Sequence, residues 1–174
     1  MPMSSEERRQ AILEYITKSQ QPVKGSKLAQ IFGVSRQVIV QDIALLRASG
    51  QEIIATPQGY MVPIVSNKRG SRRVIACKHN YEDMKDELMT IVNFGGTIID
   101  VIVEHEVYGE FRADLMISSP YDVINFVEEM EKKGVKPLSY LSEGVHLHTV
   151  EAQDSSILDK IEVSLKEKGY LLEI

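Results

Sequence analysis

The stretch SKLAQIFGVSRQVIVQDIALLRASG, residues 26–50, decides the fold of the N-terminal part of the chain. Its apolar residues recur at helical spacing in two short segments, and Gly33 stands between them. Ser26 and Ser35 stand where the two helices would begin, because a serine side chain can accept a hydrogen bond from a free N–H of the first turn. The second helix would bury a stripe of three aliphatic side chains, Ile39, Ile43 and Leu46. This pattern is typical of a helix-turn-helix.

The sequence on either side extends this motif into a winged helix. Ser4 and Glu7 have the spacing of a capping box, which predicts the start of an additional helix ahead of the motif. Beyond the motif, two short apolar segments flank Thr56-Pro57-Gln58-Gly59, and this arrangement predicts a hairpin. We therefore expect residues 4–66 to form a winged helix-turn-helix domain.

The second helix of the motif has a face suited to reading DNA. Glutamine can pair with adenine and arginine with guanine, while an exposed valine can contact the methyl group of thymine. The alternative is a winged helix that serves only as a dimerisation or protein-binding module. We expect DNA contact instead, through five residues at the start of this helix: Ser35, Arg36, Gln37, Val40 and Gln41.

Charge divides the chain into two parts. Residues 1–73 hold eleven lysines and arginines against five acidic residues, a net charge of +6, whereas the remainder holds nine against twenty, a net charge of −11. Only the first part is expected to meet a polyanion, because contacts to phosphates come from clustered basic residues. Residues 66–73, SNKRGSRR, have the composition of an exposed linker.

Composition limits where the protein acts. Hydrophobic residues make up 43% of the chain, yet no apolar run approaches the roughly 20 residues of a membrane-spanning helix. The first residues are acidic where a signal peptide would be basic. The single cysteine, Cys77, lies in an apolar stretch, which indicates a buried strand position and suits a reducing compartment. We expect a cytoplasmic protein without membrane contact.

The acidic half alternates strands and helices. The order strand-helix-strand-strand-helix-strand, extended by one helix and one strand, predicts an α+β fold of the ferredoxin-like sandwich type. The expected elements are 73–77, 80–93, 97–104, 110–117, 120–132, 144–150, 154–168 and 170–174.

Within this half, His146 and His148 stand two apart in a predicted strand, so both imidazoles point to the same face. Two imidazoles that converge on one point are half of a transition-metal site. The remaining ligands are expected from His79 and the acidic residues that follow it, Glu82, Asp83, Asp86 and Glu87.

Three segments, Lys78-His79-Asn80, residues 104–110 (EHEVYGE) and residues 144–148 (GVHLH), resemble the three-histidine or 3H domain. With the winged helix ahead of it, residues 4–174 resemble the nicotinate-responsive repressors of the NiaR type. The resemblance implies a 3H domain over 72–174 and a homodimer that binds operator DNA with nicotinic acid as corepressor. It further implies control of genes for NAD biosynthesis and niacin uptake. Glu106 departs from the resemblance, which implies a proline at that position.

The resemblance places the metal ligands at His79, Glu87, His146 and His148, with one metal ion per chain. The choice of Glu87 over the neighbouring acidic residues follows from the resemblance alone. Three imidazoles and one carboxylate suit zinc, nickel or ferrous iron better than calcium or magnesium.

A pyridine carboxylate needs an aromatic wall and a cation for its carboxylate. His105, Tyr108 and Arg112 are the candidates in this chain. The alternative is structural: Tyr108 packs in the turn, and Arg112 pairs with Glu110 or Asp114.

Two other functions are compatible with a histidine-carboxylate metal centre. A metal-dependent hydrolase is the less favoured, because the sequence has neither a glycine-rich phosphate loop nor a placed serine or cysteine nucleophile. We therefore expect that the protein is not an enzyme. A metal-sensing repressor without an organic ligand remains an open alternative at the level of sequence.

Overall fold

The computed structural model describes residues 2–63 and 70–173. The chain divides into two compact units, residues 1–66 and 67–174, called here the N-terminal and the C-terminal unit. Lys68 and Arg69 of the predicted linker lie outside the described residues. Among the described helices, none is both long enough and apolar enough to cross a bilayer.

The N-terminal unit has the element order of a winged helix. Its three helices are α1 (Ser5–Lys18), α2 (Gly25–Phe32) and α3 (Arg36–Ala48), and its hairpin consists of β1 (Ile54–Thr56) and β2 (Gly59–Met61). Val23, ahead of α2, exchanges two backbone hydrogen bonds of 2.8 Å with Tyr60 of β2. This backbone pairing attaches the hairpin to the segment ahead of α2.

Two of the three predicted helix caps are confirmed. Ser4 and Glu7 form the capping box of α1, and the Ser35 side chain accepts a hydrogen bond from the Val38 N–H at the start of α3. The cap at Ser26 is wrong, because α2 begins at Gly25 after an N-cap residue without a side-chain cap. The pairing of Val23 with the hairpin fixes the chain just ahead of this point, so the helix begins earlier than the serine predicts.

The core of the N-terminal unit is aliphatic and includes the predicted α3 stripe. Asp42 is its one buried charge among the described residues, at 3% exposure, and it accepts a 2.7 Å hydrogen bond from Arg8 Nε. A buried ion pair adds little net stability by itself. Removing one partner is costly, because the other charge is then left buried without a partner. The buried hydrophobic side chains are Ile12, Ile16, Val23, Leu28, Ile39, Ile43, Leu46 and Ile53.

The C-terminal unit is an α+β fold, as predicted. Its elements follow the expected order: β3 (Ser71–Lys78), α4 (Met84–Asn93), β4 (Thr97–His105), β5 (Gly109–Ile117), α5 (Pro120–Lys133), β6 (Val145–Ala152) and α6 (Ser155–Glu167). Short 3-10 turns at Tyr81–Asp83 and Leu138–Ser142 precede α4 and β6.

The four strands form one antiparallel sheet in the order β3-β6-β4-β5. Each strand-helix-strand unit is split, because an antiparallel strand lies between its two parallel strands. The order differs from that of a ferredoxin-like sheet in that the first strand, β3, lies at an edge and the last, β6, lies inside. The final predicted strand, 170–174, is reduced to one antiparallel bridge of Leu171 with Cys77. Backbone hydrogen bonds of 2.8 Å flank this bridge and cover the end of the β3 edge.

Candidate functional site

Three imidazoles meet one carboxylate in the interior of the C-terminal unit. β6 carries His146 and His148 on its buried face, and α4 places Glu87 opposite them. The Nε2 atoms of His146 and His148 lie 3.0 Å and 3.3 Å from Glu87 Oε1, and His79 Nε2 contacts Glu87 Oε2. The structure thus brings together the four residues that the resemblance assigns to a metal.

The hydrogen bonds of the imidazoles determine which ring nitrogen faces the carboxylate. A backbone carbonyl can only accept, so each Nδ1–H donates, and in the neutral imidazole the lone pair of Nε2 faces Glu87. Metal-binding histidines are oriented in this way by the partner of their second nitrogen. The three Nδ1 bonds run from His79 to the Asn80 carbonyl (2.8 Å), from His146 to that of Gly144 (2.8 Å) and from His148 to that of Asp100 (2.7 Å).

Burial makes this cluster dependent on a cation. The four side chains are 1–4% exposed, so lone pairs and carboxylate oxygens meet with little water to separate them. Burial alone would lower the pKa of His79 and His148, but the Glu87 carboxylate raises both. Burial likewise opposes ionisation of Glu87, yet the imidazoles, led by His148, hold its pKa well below the usual range. A proton or a metal ion is needed between the rings and the carboxylate.

Cys77 faces the same cluster. It lies directly opposite His146 in the β3–β6 register. It is fully buried, and this burial was predicted from the sequence. Its Sγ, a ring nitrogen of His146 and a carboxylate oxygen of Glu87 all lie within 4.8 Å of one another. Burial, reinforced by the nearby Glu87, raises the pKa of the thiol. Sequence reasoning missed this juxtaposition, although Cys77 stands two residues before His79 and two-residue spacing was the available signal.

Asp100 supports His148 from the neighbouring strand. Its backbone carbonyl accepts from His148 Nδ1, and its fully buried carboxylate accepts from the Thr149 N–H at 2.9 Å. Arg112 Nη2 lies 2.9 Å from the other carboxylate oxygen, and 3.8 Å from Asp114. The structural alternative named Asp114 as a partner of Arg112 but missed Asp100, whose cross-strand position depends on the sheet register.

An aromatic cluster occupies the end of the β4–β5 hairpin. The rings of His105 and Tyr108 are 5.2 Å apart between centroids, and Phe111, missed by the sequence analysis, lies 5.3 Å and 5.2 Å from them. His105 Nδ1 accepts from the N–H groups of Val107 and Tyr108, which closes the turn that contains Glu106. Tyr108 is 73% exposed, so the cluster presents an aromatic surface to solvent.

Arg112 does not belong to this cluster. In the β4–β5 register Val103 pairs with Phe111 and Ile102 with Arg112. Because directly paired residues share a face and successive residues alternate, Arg112 lies on the sheet face opposite to Phe111 and His105. The structure therefore brings His105 and Tyr108 together and separates Arg112 from them.

Two clefts border the histidine cluster. One, of about 550 Å³, lies beside His146 and extends along Ile102 and Leu147 to Gly109 at the start of β5. The other, of about 320 Å³, lies beside His79 and is walled by Tyr170. Both are large enough for a small organic molecule.

The predicted DNA-reading residues lie at the start of α3 as expected. Arg36, Gln37 and Gln41 are exposed, whereas Val40, expected to be exposed, is half-buried, since it lies one helical turn before the buried Ile43. Ser35 is exposed and caps the helix. The first turn of α3 carries no acidic residue, so the free N–H groups and Arg36 together favour an anion such as phosphate.

Comparison with known families defines the class of protein. Residues 8–61 match an HTH domain, and residues 72–174 match the 3H domain. The fold and the matches together define a helix-turn-helix regulator with a C-terminal 3H domain.

Similar proteins make the class more specific. The probable transcription repressor NiaR of Thermotoga maritima is 48% identical over 168 residues, which cover 97% of this chain and 95% of that protein. The transcription repressor NadR of Bacillus subtilis is 40% identical over 168 residues, 95% of this chain and 93% of that protein. An uncharacterized protein of Methanothermus fervidus is 32% identical over 107 residues, 56% of this chain and 16% of that protein.

The chain belongs to the family of NiaR-type transcription repressors, which confirms the resemblance inferred from its motifs. Its full-length relatives are named as repressors, and the chain is a repressor rather than an enzyme.

Proposed function

We propose that this repressor binds operator DNA when nicotinic acid is present and thereby controls genes of NAD biosynthesis and niacin uptake. In this proposal residues 4–66 are the DNA-binding domain, and residues 72–174 bind a metal ion and the corepressor. The protein acts in the cytoplasm. It acts there as a homodimer, because two-fold repressors read paired half-sites one helical turn or a multiple apart, roughly 34 Å per turn.

The DNA contact is proposed at Ser35, Arg36, Gln37, Val40 and Gln41. The exposed guanidinium and amide groups supply the base contacts. Since Ser35 already caps α3 and Val40 is half-buried, these two residues are assigned to positioning the helix and to apolar contact.

The observation that carries the proposal is the convergence of three Nε2 atoms on the buried Glu87 carboxylate. One divalent transition metal per chain, held by His79, Glu87, His146 and His148, fits this donor set. Imidazole and carboxylate suit nickel, zinc or ferrous iron. When bound, the ion supplies the positive charge that the cluster otherwise takes from protons, and it ties β3, β6 and α4 together.

The corepressor contact is proposed at the aromatic cluster, where His105 and Tyr108 offer ring surfaces to a flat pyridine ring. Arg112 lies on the opposite sheet face and pairs with Asp100, so the two rings rather than its guanidinium carry this part of the proposal. The cleft beside His146, which reaches Gly109 at the start of β5, provides a volume of about 550 Å³ close to the metal ligands. Replacing His105 with alanine should weaken nicotinate binding without loss of metal, and Arg112→Ala decides whether its guanidinium takes part.

The test is a titration of operator affinity by fluorescence anisotropy, with metal alone, nicotinate alone, both, and metal with nicotinamide. We expect tight binding only with metal and nicotinate together, and a reciprocal gain in nicotinate affinity with operator, of about 5- to 150-fold. Full affinity with metal alone would instead establish the metal-sensing repressor without an organic ligand. Equal effects of nicotinate and nicotinamide would contradict recognition of the carboxylate.

A further inference from the structure

Cys77 differs from an ordinary core cysteine in its surroundings. Its neighbours across the sheet and on α4 are His146 and Glu87, which are themselves 3% and 1% exposed. The closeness of the three donor atoms, within 4.8 Å of one another, places sulfur, nitrogen and oxygen around one buried point.

This arrangement is determined by the backbone register of the two strands and not by the conformation of a flexible side chain. Cys77 and His146 are directly opposed in an antiparallel ladder, so their side chains leave the sheet on the same face. Ile75 and His148 form the next pair on that face. The same face of β3 therefore offers a sulfur donor opposite one imidazole and a hydrocarbon opposite the other.

We infer that Cys77 is a further donor of the metal centre, supplying a thiolate that makes the site selective for thiophilic ions such as zinc, cobalt or cadmium over manganese. This inference rests on the metal centre of the proposed function. The metal–sulfur bond forms as the thiol proton passes to the buffer. Because thiolates prefer soft ions while carboxylates and water suit hard ones, the sulfur determines which metal is retained.

The experiment loads the full-length protein with cobalt(II) in a thiol-free reducing buffer and records its absorption spectrum. Visible d–d bands report cobalt binding at any site, whereas a sulfur-to-cobalt charge-transfer band in the near ultraviolet reports a thiolate ligand. Cys77→Ser removes the soft donor at nearly constant volume. Ile75→Val is the matched control, since it changes the packing opposite His148 on the same strand face but removes no donor atom.

We expect the charge-transfer band in the wild type and in Ile75→Val, and its loss in Cys77→Ser with the d–d bands retained. The preference for cadmium over manganese in competition dialysis should fall by about 10- to 100-fold in Cys77→Ser. Cobalt d–d bands without charge transfer in the wild type, or an unchanged metal preference in the variant, would overturn the role of Cys77 and leave the metal centre intact. Absence of any cobalt binding would overturn the metal centre and this inference together.

Discussion

The two units of the chain are built around different interiors. The core of the N-terminal unit is aliphatic, and its one buried charge among the described residues, Asp42, is neutralised by Arg8. The C-terminal unit instead places several ionisable groups in its interior: Glu87, Asp100, His146 and His148. We therefore expect the first unit to be stable through its own packing, and the stability of the second to depend on the proton or metal ion that its histidine cluster holds.

This difference separates the roles of the two units. A rigid apolar interior suits the role proposed for the N-terminal unit, which is to present α3 to DNA. A buried cluster that requires a cation converts the binding of a small ion into folding free energy, and this suits a domain that responds to ligands. A substitution in the interior of one unit should therefore leave the interior of the other unit unchanged.

The largest effect is expected from Glu87→Gln. An amide cannot balance three imidazoles or an ion, so the variant should lose its metal and about 3–5 kcal/mol of unfolding free energy in the C-terminal unit. Denaturant unfolding and elemental analysis of the purified protein provide the two measurements.

The matched control is Asp86→Asn, the same chemical change one residue earlier. Asp86 accepts from Lys168 Nζ at 2.9 Å and from the Tyr170 hydroxyl at 2.8 Å in an exposed position, so the loss should stay within about 1 kcal/mol with metal content preserved. Equal losses in both variants would remove the distinction between the cluster and ordinary ion pairs.

The second effect concerns the N-terminal unit alone. Arg36→Ala and Gln37→Ala should each weaken specific operator binding by about 1–3 kcal/mol, because each removes a base contact. Thermal stability and metal content should not change. Gln10→Ala, an exposed glutamine on α1, serves as the control and should bind operator as the wild type does. If all three bind alike in footprinting, α3 is not the reading helix.

A smaller effect distinguishes the cap of α3 from its DNA contacts. Ser35→Ala should cost about 1 kcal/mol of stability in the N-terminal unit, since its side chain accepts from the Val38 N–H at 3.2 Å. Ser26→Ala, which removes no cap in this structure, should be nearly neutral. Thermal unfolding of the two variants side by side provides the comparison, and equal shifts would contradict the assigned caps.

The pH dependence of the metal-free protein should be gradual and confined to the C-terminal unit. Despite burial, Glu87 raises the pKa of His79 and His148, so their contribution is complete below about pH 6.5 and is lost as the pH rises through the raised values. Although burial opposes it, the imidazoles lower the pKa of Glu87, so its contribution holds above about pH 4.3 and is lost as the pH falls through the lowered value.

Unfolding by urea between about pH 5 and about pH 9 measures the alkaline part of this profile. Bound metal should abolish the alkaline decline, because the ion replaces the protons. A decline of the same size in the metal-loaded protein would contradict this assignment.

Local signals in the sequence were sufficient for much of this account. The capping residues Ser4 and Ser35 act within one helical turn, and the two-residue spacing of His146 and His148 determines their shared face without knowledge of the fold. The cap at Ser26 failed because a tertiary pairing, Val23 with Tyr60, determined where α2 begins.

What could not be predicted depends on the register between strands. The sequence does not say that Cys77 lies opposite His146, or that Arg112 reaches the buried Asp100 on an adjacent strand. Strand alternation alone places Arg112 and Phe111 on opposite faces of the strand. It does not show which of the two faces carries a ligand site, because that depends on how the hairpin lies in the sheet. The strand order likewise depends on tertiary packing, since β3 and β6 are distant in sequence.

The central claim, that metal binding stabilises the C-terminal unit alone, is tested most directly by differential scanning calorimetry of metal-loaded and chelated protein. The Ile39→Ala variant, which opens a cavity in the aliphatic core, identifies the transition of the N-terminal unit. With metal at about 100 times its dissociation constant, chelation should lower the C-terminal transition by roughly 10–20 °C and leave the N-terminal one in place. No shift, or an equal shift of both transitions, would contradict the claim.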